Sequence, residues 1–134
     1  PMLAAFEVAG WTYRIDFDYM GGLSKKLNMS CIGATNYSQK TIYLSEASAT
    51  LHEFGHFLDW MLGFPAEYEQ LFRAEASAAP LRNYAKTDSR EYFADCFAYW
   101  VKYAENANAI SLLQECAPMT YRYMEDLMRI ANRL

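Results

Sequence analysis

The chain owns two histidines, and they bracket a glutamate in His52-Glu53-Phe54-Gly55-His56, an H-E-x-x-H run. On a helix, residues i and i+4 lie one turn apart on one face, so both imidazoles can reach a single ion. Glu53 then stands close enough to act on a water bound to that ion, the arrangement of a zinc-dependent hydrolase. Two imidazoles leave a catalytic zinc one protein ligand short, and the usual completion is His, Asp or Glu from another element, with water at the open position. With no third histidine in the chain, the ligand must be a carboxylate. Glu91 is favoured because it falls in the first turn of a later, aromatic-rich helix; Glu67, Glu69, Glu75, Asp88 and Asp95 compete with it. Asp95 is one turn beyond Glu91 and can share its face, where it could accept the second ring N–H of His52 and fix that ring's tautomer. Asp59, three residues after His56, is another candidate for such support.

These side chains need elements to hold them. Residues 5–18 are rich in aromatic and branched types, and the alternation from Trp11 to Phe17 predicts a half-buried strand, punctuated afterwards by Gly21-Gly22. Segment 23–40 is polar and weakly periodic, which predicts mostly irregular structure with room for one short element. Lys40-Thr41-Ile42-Tyr43-Leu44 reads as a short strand just ahead of the metal motif. Ser45 is placed to cap a helix of about four turns that carries both histidines and stops at Gly63, with Glu46 near its positive end. A second helix is expected from Pro65 to about Ala76, then a loop over 83–87. A long helix capped by Thr87 or Asp88 should run from Ser89 to about Tyr103, and a last one should start at Pro118 with Tyr121, Met124, Leu127, Met128 and Leu134 on its packing face. Together these predict an α+β chain.

With 134 residues and 53% hydrophobic content, the chain can bury a real core and is expected to form one domain over 1–134. Sixteen acidic against twelve basic side chains give a net charge of -4, and no basic block exceeds Lys25-Lys26, so nucleic acid is not the expected partner. No apolar run is long enough for a membrane span, and the N-terminus lacks a signal-peptide pattern. Cys31, Cys96 and Cys116 are odd in number and widely spaced, which predicts free thiols. No oligomeric state follows from these features.

The run from Leu81 through Asn83-Tyr84 to Arg90-Glu91-Tyr92-Phe93-Ala94-Asp95-Cys96-Phe97, combined with the H-E-x-x-H helix, resembles the catalytic domain of the anthrax lethal factor-like metallopeptidases, a family that includes the secreted Pro-Pro endopeptidases. Members of that family carry a tyrosine seven residues ahead of a zinc-binding glutamate in a segment of the form E-F-F-A-E-x-F. Tyr84 and Glu91 keep the interval, while Tyr92 and Asp95 replace the first phenylalanine and the second glutamate. Cys116-Ala117-Pro118-Met119-Thr120-Tyr121 is similar to the start of the C-terminal helix in the Pro-Pro branch. The resemblance implies a compact zincin-like domain, with a small N-terminal sheet over the H-E-x-x-H helix and a helical C-terminal half. It implies zinc held by His52, His56 and Glu91, Glu53 as general base toward a zinc-activated water, and Tyr84 as hydrogen-bond donor to the oxyanion. The expected activity is endoproteolysis of a peptide or protein outside the cell, with strand 41–44 at the cleft edge pairing with the extended substrate. Rival readings are a zinc hydrolase acting on a non-peptide bond and a zinc- or peptide-binding domain without catalysis. The tyrosine and glutamate spacings weigh against the first, and the retained Glu53 weighs against the second, because a structural metal site needs no base.

Overall fold

The computed structural model describes residues 1–131. The N-terminal part contains helix α1 (Met2–Val8), strand β1 (Thr12–Ile15), helix α2 (Phe17–Leu27) and strands β2 (Gly33–Asn36) and β3 (Thr41–Leu44). A 3-10 turn at Ala47–Ala49 leads into α3 (Thr50–Met61), followed by α4 (Ala66–Glu75), α5 (Ser89–Lys102), α6 (Ala107–Cys116) and α7 (Pro118–Ala131). Leu134, expected on the face of the last helix, lies outside the described residues. The α+β expectation holds, with a small sheet in the first third and helices thereafter.

The sheet has the order β1-β3-β2, with β1 parallel and β2 antiparallel to β3. This corrects the expectation that strand 41–44 forms the cleft edge. Ile42, Tyr43 and Leu44 are all buried, and a strand that buries consecutive residues is covered on both faces and belongs in the middle. The outer position beside the motif helix falls to β2, a short element inside segment 23–40, whose start continues α2 instead of being irregular. Its partners Thr35↔Ile42 and Gly33↔Leu44 place Gly33 and Thr35 on the face that looks toward α3.

The strand expected from Trp11 to Phe17 is present but shorter, and a helix and a turn precede it. Phe6 is buried on a short helix, Trp11 is buried directly after a left-handed Gly10 (φ 82°), and only Thr12–Ile15 is strand, lying at an exposed edge. Asp16 then accepts a hydrogen bond from the Tyr19 N–H at 2.9 Å and starts α2, so that Phe17 is helical. Gly21-Gly22 sit inside α2 rather than ending it.

Helix α3 begins later than expected. Ser45 lies short of it and reaches the Ile32 carbonyl, and the helix grows directly out of the 3-10 turn. Its end agrees with the sequence, since Gly63 is left-handed (φ 79°) just past the last turn. Phe54, Phe57 and Leu58 of α3 join Trp11, Ile42 and Phe97 in one core. Helix α5 starts as expected, with the Asp88 carboxylate accepting from the Glu91 N–H at 2.8 Å. Between α5 and the final helix an unanticipated helix, α6, is capped by Asn106 through the Ala109 N–H.

The contact that positions the site is the crossing of α3 and α5. Gly55 faces Ala94, and a Cβ at residue 55 would sit 2.7 Å from Ala94 Cα and 3.0 Å from its carbonyl oxygen. Only a residue without a side chain lets the two backbones approach this closely. The approach brings the histidine face of α3 within reach of Glu91 and Asp95, which flank Ala94 on α5.

Candidate metal centre

His52 and His56 project one turn apart from α3, and both rings are buried, as is Glu53 between them. Glu91 Oε2 lies 2.9 Å from His52 Nε2 and 3.2 Å from His56 Nε2, and the two ring nitrogens are themselves 3.2 Å apart. The three side chains thus offer ligand atoms that all fall within 4.8 Å of one another. Such a His/His/Glu cluster is capable of coordinating a divalent metal. Three atoms with lone pairs crowd together here, which is favourable only with a proton or cation among them. Burial disfavours a charged His52 ring, but hydrogen bonds to Asp95 and Glu91 outweigh it and raise His52 to about 9. Burial would likewise raise Glu91, yet His52 and His56 bring it down to about 2.

The far side of each imidazole is also occupied. His52 Nδ1 makes a very short hydrogen bond to Asp95 Oδ1, the contact anticipated for that aspartate. Asp95 is gripped in turn by Arg82, with Nε 2.8 Å from Oδ2 and Nη2 3.0 Å from Oδ1. Burial opposes the ionised form of Asp95, and its bonds to His52 and Arg82 reverse this and hold its carboxyl below the usual range. His56 Nδ1 is met by the Tyr37 hydroxyl at 3.1 Å, not by Asp59. Asp59 is buried nearby, and burial pushes its carboxyl up to about 6 against the opposing pull of His56 and Arg90. Among the described residues it makes no hydrogen bond to either ring.

Several other candidates for the third ligand are committed elsewhere. Glu75 is buried at the start of α7, where Oε1 accepts from the Thr120 N–H at 2.7 Å and the Thr120 hydroxyl at 2.8 Å, and Oε2 accepts from the Met119 N–H at 3.0 Å. A carboxylate there satisfies N–H groups that the helix leaves unpaired. Asp88 caps α5, and Glu69 pairs with Arg73 at the surface.

Glu53 Oε1 lies 4.0 Å from His52 Nε2, while Oε2 accepts from the Thr35 hydroxyl at 2.5 Å. Tyr84, on the 3-10 turn Asn83–Lys86, is 42% exposed, and its ring centre stands 6.2 Å from that of His52. Burial, and then the negative charges of Glu91 and Glu53, raise its phenol to about 12, so it keeps its proton at neutral pH. The Arg82 guanidinium carbon lies 5.1 Å from the centre of the Tyr84 ring. A cavity of about 480 Å³ opens beside His52 and Glu53, walled by Ile32, Leu81, Arg82 and Tyr99.

Thr35, Tyr37 and Arg82 were missed in the sequence. The first two left a signal, because Thr35 and Tyr37 keep the alternate spacing of Gly33 through β2 and into the turn after it; the polarity of the surrounding segment concealed it. Arg82 left none, since its partner Asp95 is thirteen residues away on another element.

A small sheet beside an H-E-x-x-H helix, with a glutamate supplied by a later helix, defines a zincin-type metallopeptidase fold. Residues 15–127 match the family model described as "Anthrax toxin lethal factor, N- and C-terminal domain", and the chain belongs to that family. It is 30% identical over 83 residues to a Pro-Pro endopeptidase of Clostridioides difficile (strain 630), a match covering 59% of this chain and 36% of that protein. The chain thus spans about a third of the length of that relative. The fold is similar to that of the Pro-Pro endopeptidase from Paenibacillus alvei, with a TM-score of 0.69 at 18% identity, over 94% of this chain and 82% of that one. No helix among the described residues is long and apolar enough to cross a membrane.

Proposed function

We propose that residues 1–134 form one catalytic domain, a zinc-dependent endopeptidase in which His52, His56 and Glu91 hold the metal, Glu53 is the general base and Tyr84 the oxyanion donor. The observation that carries this reading is the convergence of His52 Nε2, His56 Nε2 and Glu91 Oε2, with the Glu53 carboxylate beside them. Donor atoms about 2.0–2.1 Å from a tetrahedral zinc stand roughly 3.3 Å apart, so spacings of 2.9–3.2 Å fit that ion. Asp95 and Tyr37 support the assignment by occupying both Nδ1 atoms and turning Nε2 inward. When bound, zinc would supply a Lewis acid that acidifies water and polarises a carbonyl.

The chain's own groups perform the remaining steps. Glu53 takes a proton from the attacking water and delivers it to the departing amide nitrogen, so a single carboxylate serves both half-reactions. Tyr84 donates its phenolic O–H to the oxygen that gains charge during attack. Strand β2 is bonded to β3 along one side only among the described residues, leaving its outer backbone groups free for an extended peptide. Pairing on both sides of the scissile bond suits cleavage within a chain. The family includes secreted endopeptidases, and action on peptides outside the cell rests on that relationship.

The test is digestion of a diverse peptide library by the protein stripped with a chelator and then reloaded with about one equivalent of zinc. Internal cuts are expected only after reloading; a fully loaded protein that cuts nothing would leave a metal- or peptide-binding domain as the reading. On a peptide that is cut, Tyr84→Phe is expected to lower kcat by roughly ten- to a thousand-fold, because it keeps the ring and removes a donor that acts mainly in the transition state. Zinc content and Tm should hardly change. Unaltered turnover would end the role assigned to this hydroxyl, and a change confined to KM would move it to substrate binding.

A further inference from the structure

We infer that the inner row of β2 positions the catalytic carboxylate, with Thr35 as the residue that selects which oxygen of Glu53 accepts the proton. The inference rests on the endopeptidase reading and adds to it a role for the edge strand besides pairing with substrate. Side chains at alternate positions of a strand share a face, and here Gly33 and Thr35 of β2 meet α3, with Tyr37 following in the turn just past the strand. At Gly33 there is no room for a side chain, since a Cβ would lie 2.8 Å from Ala49 Cβ, 2.9 Å from Glu53 Cγ and 3.2 Å from Glu53 Oε1. At Thr35 the hydroxyl lies 2.5 Å from Glu53 Oε2. At Tyr37 the hydroxyl meets His56 Nδ1.

These contacts divide the work between the two carboxylate oxygens of Glu53. The Thr35 hydroxyl has one proton, and of its two acceptors Glu53 Oε2 at 2.5 Å is far nearer than the Glu53 carbonyl at 3.5 Å, which favours a charge-assisted bond of the short kind to Oε2. Oε1 is left without this partner and faces the His52 ring at 4.0 Å, the side on which the ligand atoms converge. A glutamate side chain has three rotatable bonds, and holding one oxygen removes the rotations that would exchange the two. The bare Cα of Gly33 leaves the space in which Oε1 rests. Because β2 is locked to β3 in register, the row is as rigid as the sheet, and the support comes from the strand that also offers its outer edge to a peptide.

Thr35→Val and Thr35→Ser separate positioning from packing, since valine keeps the shape and loses the hydroxyl whereas serine keeps the hydroxyl and loses a methyl. In the zinc-loaded protein, valine is expected to lower kcat by about ten- to a hundred-fold with KM within about twofold of wild type, and serine to restore most of the loss. Zinc stoichiometry should stay unchanged in both. A second readout does not depend on turnover. Crystal structures of zinc-loaded wild type and Thr35→Val should show one orientation of the Glu53 carboxylate in the former and a rotated or divided one in the latter. An identical orientation in both overturns the inference, as does wild-type kcat in Thr35→Val or an equal loss in both variants. If the wild-type protein cleaves no peptide, the endopeptidase reading fails, and the two carboxylate orientations still decide whether Thr35 positions Glu53.

Discussion

Glu53→Gln is expected to leave a folded, metal-loaded protein that has lost peptide hydrolysis by about a hundredfold or more, the range a positioned acid–base group contributes. The carboxamide matches the carboxylate in size, so it fits beneath Gly33, and its oxygen can still accept the hydrogen bond from Thr35. What it loses is the ability to take a proton from water. Since Glu53 is not one of the three converging ligands, metal affinity should change far less than turnover. The measurement is kcat on a cut peptide, with zinc content and Tm determined on the same preparation. Turnover close to wild type in fully loaded Glu53→Gln would exclude this residue as the base, and loss of zinc would instead make it part of the ligand set.

The helices that carry chemistry were legible because each has a local signature. His52 and His56 state their own spacing, Gly63 marks the end of α3, and Asp88 caps α5 so that Glu91 falls in its first turn. The sheet was harder to read, because strand order is a property of pairing and not of any one segment. Strand β3 was found, but its place in the middle depends on β1 and β2, and β2 is a four-residue strand of Gly, Ala, Thr and Asn with little apolar content. Its inward residues, Gly33 and Thr35, are small or polar and meet Glu53, so hydrophobic periodicity passes over them. Helix α1 was hidden in the same way by Phe6 and Val8, residue types as much at home in a strand; seven residues give too few turns for a helical period to stand out. Asp95 could be placed because it lies one turn from Glu91, whereas Arg82 and Tyr37 reach the site through tertiary contacts that no local pattern encodes.

Gly55→Ala is expected to damage the site more than it damages the fold. Alanine is the better helix former by about 0.8–1.0 kcal/mol, which favours the variant in a helix interior. Against that, its Cβ would lie 2.7 Å from Ala94 Cα and 3.0 Å from Ala94 O, backbone atoms that no rotamer change can move aside. Overpacking of this kind costs about 1–3 kcal/mol, so the two effects partly cancel and Tm should fall modestly. The ligands have no such compensation. Relief requires α3 and α5 to separate, and that separation carries His52 and His56 away from Glu91, and His52 away from Asp95. A misplacement of about 1 Å in a catalytic constellation costs about a hundredfold in rate, and zinc affinity should weaken alongside. Turnover, zinc affinity and Tm measured together give the test, with wild-type turnover and affinity the result that would refute this account of the crossing. Adding Ala94→Gly should fail to rescue the variant, since the collision is with the Cα and carbonyl oxygen of residue 94, atoms that a glycine still has.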